Sequence, residues 1–119
     1  MFRTLLLMIV SLISPVPEPE PTPTPPVHAQ TVEVCETVRC WLADAGWPDE
    51  LIPEAMRVVQ CESTNRPWVT GDSSRSLGLF QLWYGHFRAG EDWSDPRVNA
   101  AVALRVYQRE GWRPWTCKP

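Results

Sequence analysis

Apolar residues recur at intervals of three and four over three stretches of this chain, and each stretch predicts a helix. In the first, Val34, Val38, Trp41, Leu42 and Ala45 share a face, with Gly46 placed to cap the end and Pro48 beyond it. In the second, Leu51, Ile52, Ala55, Met56 and Val59 lead to Glu62 or Ser63. Asp49 is suited to cap that helix, Pro53 fits its first turn, and Asn65-Arg66-Pro67 breaks it. The third opens with Asp95 as N-cap and Pro96 at the first helical position, and runs to about Glu110. Val98, Ala101, Val102, Leu104 and Val106 make it apolar over most of its circumference, which predicts a central helix.

Between the second and third stretches the pattern changes. Residues 68–82 hold Trp68-Val69-Thr70, a Gly71-Asp72-Ser73-Ser74 turn and a return toward Leu79 and Phe80, which predicts a short irregular hairpin. Leu79 to Phe87 reads as the start of a further helix interrupted by Gly85. No internal repeat is visible. The fold class expected is mainly α with a minor β element, in one small domain covering 31–119.

The N-terminal part reads differently. Met1-Phe2-Arg3 followed by an apolar run through Ile13 has the order of a secretory signal, assigned to 1–14, and is short for a membrane span. Val27-His28-Ala29 has the form of a cleavage site after residue 29, and an uncleaved signal would leave a membrane tether. Residues 15–30 form a linker whose first twelve positions hold seven prolines, a composition that favours extended chain and a spacer role.

Charge narrows the partners. From Gln30 onward there are ten basic residues (eleven less Arg3) and twelve acidic ones (fourteen less Glu18 and Glu20). Nothing there points to nucleic acid, and no strong positive field would steer the protein to an anionic surface. Four cysteines in so short a secreted domain read as two disulfides, with three connectivities open. No Cys-x-x-Cys pair is present and His86 stands alone, so neither a metal nor a cofactor is expected.

Glu62 is the chemically informative residue. It lies eleven positions after Leu51 and seven after Ala55, which at about 100° per residue returns it to the apolar face. A carboxyl group there must be paired or protonated, and a protonated acid in a dry cleft is suited to general-acid chemistry. The plainer alternative is a helix-end Glu turned to solvent or paired with Arg66.

Cys61-Glu62-Ser63, then Gly71-Asp72, then Ser76-Leu77-Gly78-Leu79-Phe80-Gln81, then Asp95-Pro96 with Asn99 follow in order. This series resembles the lysozyme-like superfamily, in particular its soluble lytic transglycosylase branch. The Cys-Glu-Ser start and the closing Gly111-Trp112-Arg113-Pro114-Trp115-Thr116-Cys117 are similar to resuscitation-promoting-factor domains. The resemblance covers about Ile52 to Cys117. It implies an α+β lysozyme-like fold, and pairing of Cys61 with Cys117, which leaves Cys35 to Cys40.

The resemblance also implies a chemistry. Cleavage of a glycosidic bond needs a proton donor at the bridging oxygen, and most hydrolases add a second carboxylate. In lytic transglycosylases a single Glu donates that proton and then acts as base while the C6 hydroxyl of the sugar attacks, leaving a 1,6-anhydromuramic end. Glu62 takes that role by resemblance, on the β-1,4 bond between N-acetylmuramic acid and N-acetylglucosamine in peptidoglycan. Asp72 is a candidate second carboxylate, or a plain turn residue. Ser76 and Gln81 carry over as substrate positioners, with Gly78 allowing backbone and sugar to approach closely. Ser63 reads as a helix-end hydrogen-bonding residue.

Seven tryptophans are heavy usage for 119 residues. Trp68, Trp83 and Tyr84 are candidates to stack on sugar rings, whereas Trp41, Trp47, Trp112 and Trp115 are assigned to packing. Tyr107 stands near the position of a cleft tyrosine in the family. The segment between the Gln81 motif and the last helix is shorter than in the relatives, which shortens any cleft. The expectation is a secreted, monomeric, peptidoglycan-cleaving enzyme acting on glycan strands. The alternatives are a two-carboxylate lysozyme using Asp72, a non-catalytic glycan-binding or signalling module, and a secreted effector with no glycan role.

Overall fold

The computed structural model describes residues 11–23 and 34–119. Residues 11–23 are exposed and carry no helix or strand. The first ten residues of the signal-like run, the Val27-His28-Ala29 motif and the linker from 24 onward lie outside the described residues. Among the described residues no helix is long and apolar enough to cross a membrane.

The unit Val34–Pro119 is mixed helix and sheet. Helix α1 spans Val38–Asp44, α2 spans Ile52–Ser63 and α3 spans Pro96–Glu110; β1 (Thr70–Gly71), β2 (Ser76–Leu77) and β3 (Leu82–Trp83) lie between the last two. The strands form one antiparallel sheet in the order β1-β2-β3. A single three-residue turn of 3₁₀ helix precedes α2 at Asp49–Leu51, and another follows β3 at Tyr84–His86.

Helix α1 starts later than the apolar period suggests. Thr37 caps it, its side chain accepting from the backbone N–H of Cys40 at 3.3 Å. Val34 is exposed and Cys35, ahead of the cap, is joined to Cys40 by a disulfide. At the other end Gly46 takes φ +96°, its N–H donates to Ala43, and Trp47 N–H donates to Leu42 at 3.0 Å, which closes the helix in a Schellman arrangement. Asp49 does not cap α2 through its side chain: the 3₁₀ turn intervenes, and Leu51 precedes the helix without a capping bond. Thr64 and Asn65 then end α2 with φ values of 54° and 61°.

The expected helix over 79–87 is not formed. Gln81 has φ +48°, and Leu82 and Trp83 pair with Leu77 and Ser76. Sheet pairing takes the backbone groups that a helix would have used, so the hairpin gains a third strand.

The core sits where α2 and α3 meet the chain from Leu79 to Leu82. Leu42, Ala55, Val58, Val59, Leu79, Phe80, Ala100, Val102 and Ala103 are completely buried, each large side chain contributing roughly 1.5–3 kcal/mol. Helix α3 buries Asn99, Ala100, Val102, Ala103 and Val106 but leaves Ala101 exposed, so it is not enclosed all round, and α1 is the helix that packs against both others. Trp47, Phe80, Trp112 and Trp115 pack in series at centroid distances of 5.1–6.0 Å, Trp47 stacked on Phe80 and Trp112, and Trp115 edge-on to both. Two of them also anchor backbone: Trp47 Nε1 donates to Ala100 and Trp115 Nε1 donates to Phe80.

Asn99 is the polar centre of this core. It is fully buried, its Oδ1 accepts from Phe80 N–H at 2.9 Å, and its Nδ2 donates to the carbonyls of Leu77 and Trp93 at 3.0 Å. One side chain on α3 thus holds the sheet and two loops in register. Gly78 makes room for it: at φ +72°, a Cβ there would meet the Asn99 amide and lie 2.6 Å from the Trp93 carbonyl. The glycine therefore admits a buried asparagine rather than a sugar.

Candidate functional site

A cleft of about 260 Å³ opens on one side of the unit. Glu62, Asp72, Ser76, Gln81 and Trp83 line it, together with His86 and the C-terminal residues Pro114, Trp115 and Thr116. Five of the eight residues named from sequence for catalysis or binding therefore meet in one place.

Glu62 stands in the last turn of α2, at the margin of its buried stripe. Ile52, Ala55, Val59 and Ser63 hold the centre of that stripe, and Glu62 is only half-buried. Its Oε1 accepts from the backbone N–H of Cys117 at 3.0 Å. Cys61, its neighbour, is joined to Cys117 by the second disulfide, with Cα atoms 6.0 Å apart. The carboxylate is thus held twice to the chain end, once through its own oxygen and once through the preceding residue. Arg66 is not its partner: Arg66 Nε donates to the Ser63 carbonyl. Ser63 Oγ donates back to Val59 at 3.1 Å and is a helix-end residue, away from the cleft lining.

The sheet supplies the next group. Ser76 and Trp83 are directly paired across β2 and β3, so they share one face, while Leu77 and Leu82 face the core side. Trp83 is 53% exposed and Ser76 half-buried, both on the cleft. The indole of Trp83 folds over Gly85, where a Cβ would collide with its six-membered ring.

Gln81 lines the cleft but its amide is already committed. Nε2 donates to Val69 at 3.0 Å and to Gly78 at 2.9 Å, which uses both of its N–H groups. Its Oε1 lies so near Gly71 that a Cβ there would come within 2.6 Å. Gln81 acts as a strut that joins the β1 end to the β2–β3 turn.

Asp72 is exposed and lines the cleft from the β1–β2 turn. Asp72, Ser73 and Ser74 all have left-handed φ, at 50°, 53° and 66°. Such residues cost roughly 1–2 kcal/mol each relative to ordinary backbone, and such strain clusters at working sites. Aspartate tolerates that region better than most residues, so Asp72 is a turn residue that also lines the cleft.

Three aromatic candidates lie elsewhere. Tyr84 is exposed against Trp83 at 5.3 Å and is not part of the lining. Tyr107 packs against Trp47 and Trp112 in the aromatic series, which corrects its assignment to the cleft. The face of α3 that reaches the cleft carries Val106 instead. Trp68 is 67% exposed and also stands off the lining.

His86 and the 114–116 segment were not selected from sequence. His86 lies on the 3₁₀ turn that follows β3, five residues after Gln81, a spacing that carries no helical or strand periodicity and so no signal. Burial holds its pKa below the ordinary histidine value; cationic Arg109 adds to this, Glu110 opposes it and Arg105 lowers it further. The net direction favours the neutral imidazole. Lys118 organises the wall beside it: its ammonium donates to the carbonyls of Trp112, Arg113 and Trp115 at 2.6–3.1 Å.

Among the described residues no group of His, Cys, Asp and Glu is arranged to hold a metal ion. No family model, curated protein or solved structure matches the chain.

Proposed function

We propose that this protein is an extracytoplasmic glycosidase that cleaves peptidoglycan glycan strands with Glu62 as general acid and base. The observation that carries the reading is the convergence of Glu62, Asp72, Ser76, Gln81 and Trp83, drawn from three separate parts of the chain, on one cleft. A cleft of this kind offers what glycoside cleavage requires: a positioned carboxyl group, an aromatic face for a pyranose ring, and polar groups at its edge. The two disulfides agree with an oxidising compartment and the signal-like N-terminus with export.

In this reading Glu62 protonates the bridging oxygen as the bond to the leaving sugar breaks. The resulting carboxylate then removes the proton from the C6 hydroxyl as that oxygen attacks the anomeric carbon, which forms the 1,6-anhydro ring and restores the acid. The Cys117 N–H on Oε1 fixes one oxygen and leaves the other for this transfer. Trp83 offers its exposed ring to a sugar face, and Ser76 beside it offers a hydroxyl.

Asp72 supports a second reading. A carboxylate on the same cleft would allow hydrolysis, with Asp72 as nucleophile or base for water. Transglycosylation is preferred because the Ser76-to-Gln81 segment resembles that branch and because Asp72 sits on an exposed turn. The test is to incubate the protein with purified sacculi and analyse the released muropeptides by mass spectrometry, with chitin oligomers in parallel. Anhydro-ended products support the reading. The absence of soluble products from sacculi and chitin alike overturns it in favour of a non-catalytic module.

A further inference from the structure

His86 is the group of the cleft that the proposed mechanism leaves without a role. Its backbone is fixed from behind: Arg105 Nη2 donates to the His86 carbonyl at 3.0 Å, and Glu91 clamps Arg105 with bonds of 2.8 and 3.1 Å. Its ring stands edge-on to Trp83, with centroids 5.5 Å apart and planes at 90°. The side chain is half-buried and lines the same cleft as Glu62.

We propose that His86 is a substrate-facing residue of the Glu62 cleft, where its neutral imidazole hydrogen-bonds the glycan and its protonation halts turnover. The inference rests on the glycosidase reading for turnover, but not for the contact itself. A neutral imidazole offers one donor and one acceptor, which suits a pair of sugar hydroxyls or a hydroxyl with an acetamido group. An imidazolium offers donors alone. It would also place a positive charge beside a transition state of oxocarbenium character, which is itself positive.

The surroundings favour the neutral form. From α3, Arg105 and Arg109 oppose protonation and Glu110 opposes them; Trp83 packs against the ring from β3, and Glu62 and Asp72 share the cleft from α2 and the β1–β2 turn. The two carboxylates line the cavity with His86, but burial and the two arginines outweigh the acidic neighbours in setting its titration. The acid side of the activity profile is therefore assigned to His86.

Two measurements on the full chain test this. The first is the rate of muropeptide release from sacculi against pH for the protein, His86→Gln and His86→Lys. The wild type should lose activity as pH falls below 6.5. His86→Gln should be reduced about tenfold in kcat/KM at neutral pH and lack that acid limb, and His86→Lys, a fixed cation, should be reduced about a hundredfold. The second follows the His86 imidazole by NMR, with the His28 signal assigned through His28→Ala, while N-acetylglucosamine tetramer is added. A shift of the His86 signal supports the contact.

If the wild type is active while His86→Gln keeps its rate and acid limb, the proposal is overturned and the glycosidase reading stands. If the wild type releases nothing at any pH, the glycosidase reading falls, and the NMR titration alone decides the contact. An unmoved His86 signal at saturating tetramer overturns the contact in either case.

Discussion

The backbone N–H of Cys117 donates to Glu62 Oε1 at 3.0 Å, across 55 residues of chain. The same Cys117 is disulfide-bonded to Cys61, so the C-terminus orients the carboxylate through a hydrogen bond and a covalent link. The Pro114-to-Thr116 wall of the cleft is fixed by that attachment too. Chemistry and stability should therefore respond together when the link is cut, and separately when only the acid is changed.

Glu62→Gln retains the oxygen that accepts from Cys117 but removes the transferable proton. Release of muropeptides should fall by about a hundredfold or more, with the melting temperature unchanged. A variant that still solubilises sacculi at the wild-type rate would assign the acid to another residue.

Replacing both Cys61 and Cys117 with serine should destabilise the protein by about 2–5 kcal/mol and reduce activity in parallel. Thermal unfolding and the muropeptide assay read the two effects. A non-reduced peptide map of the parent protein should show Cys61 joined to Cys117 and Cys35 joined to Cys40.

Asp72→Asn separates the two mechanisms. A transglycosylase should tolerate it within a fewfold and keep releasing 1,6-anhydro ends, which resist borohydride reduction. Loss of most activity, with reducible ends from the parent, would establish Asp72 as a second catalytic carboxylate.

Asn99→Leu leaves Phe80 N–H and the Leu77 and Trp93 carbonyls without their partner, and each unmade buried bond costs about 1–3 kcal/mol. The expected loss is at least about 3 kcal/mol by denaturant unfolding. Gly78→Ala should have a similar effect, since its φ of +72° and the nearby Trp93 carbonyl both exclude a side chain.

Glu91 provides a pH signature. The hydrogen bond from Arg105, aided by Arg88 N–H, holds its pKa down from 4.5 to about 2. The carboxylate is thus stabilised in the folded state, so this contribution is fully present above 4.5 and is lost as pH falls toward 2. Melting temperature measured across that interval should decline less steeply for Glu91→Gln than for the parent. The parent should also be the more stable of the two at neutral pH.

Local rules in the sequence determined much of this protein. The three-and-four spacing of apolar residues specified three helices, because a helix can bury only a stripe of that period. Asp95-Pro96 specified where α3 begins, because its side chain accepts from Arg97 and Val98 N–H ahead of a ring that needs no partner. Gly46 specified where α1 stops. The order of Glu62, Asp72, Ser76 and Gln81 likewise marked the residues that line the cleft. Tertiary structure decided what those residues do there. Gln81 spends its amide on Val69 and Gly78, and Gly78 yields its space to Asn99, because buried backbone groups far apart in sequence must be satisfied within the fold. Leu82 and Trp83 joined the sheet since β2 offered partners that no periodicity encodes. Tyr107 went to the aromatic core and His86 to the cleft for the same physical reason: the rotation of α3 and the path after β3 are set by packing across the whole unit, and single-residue patterns do not carry that information.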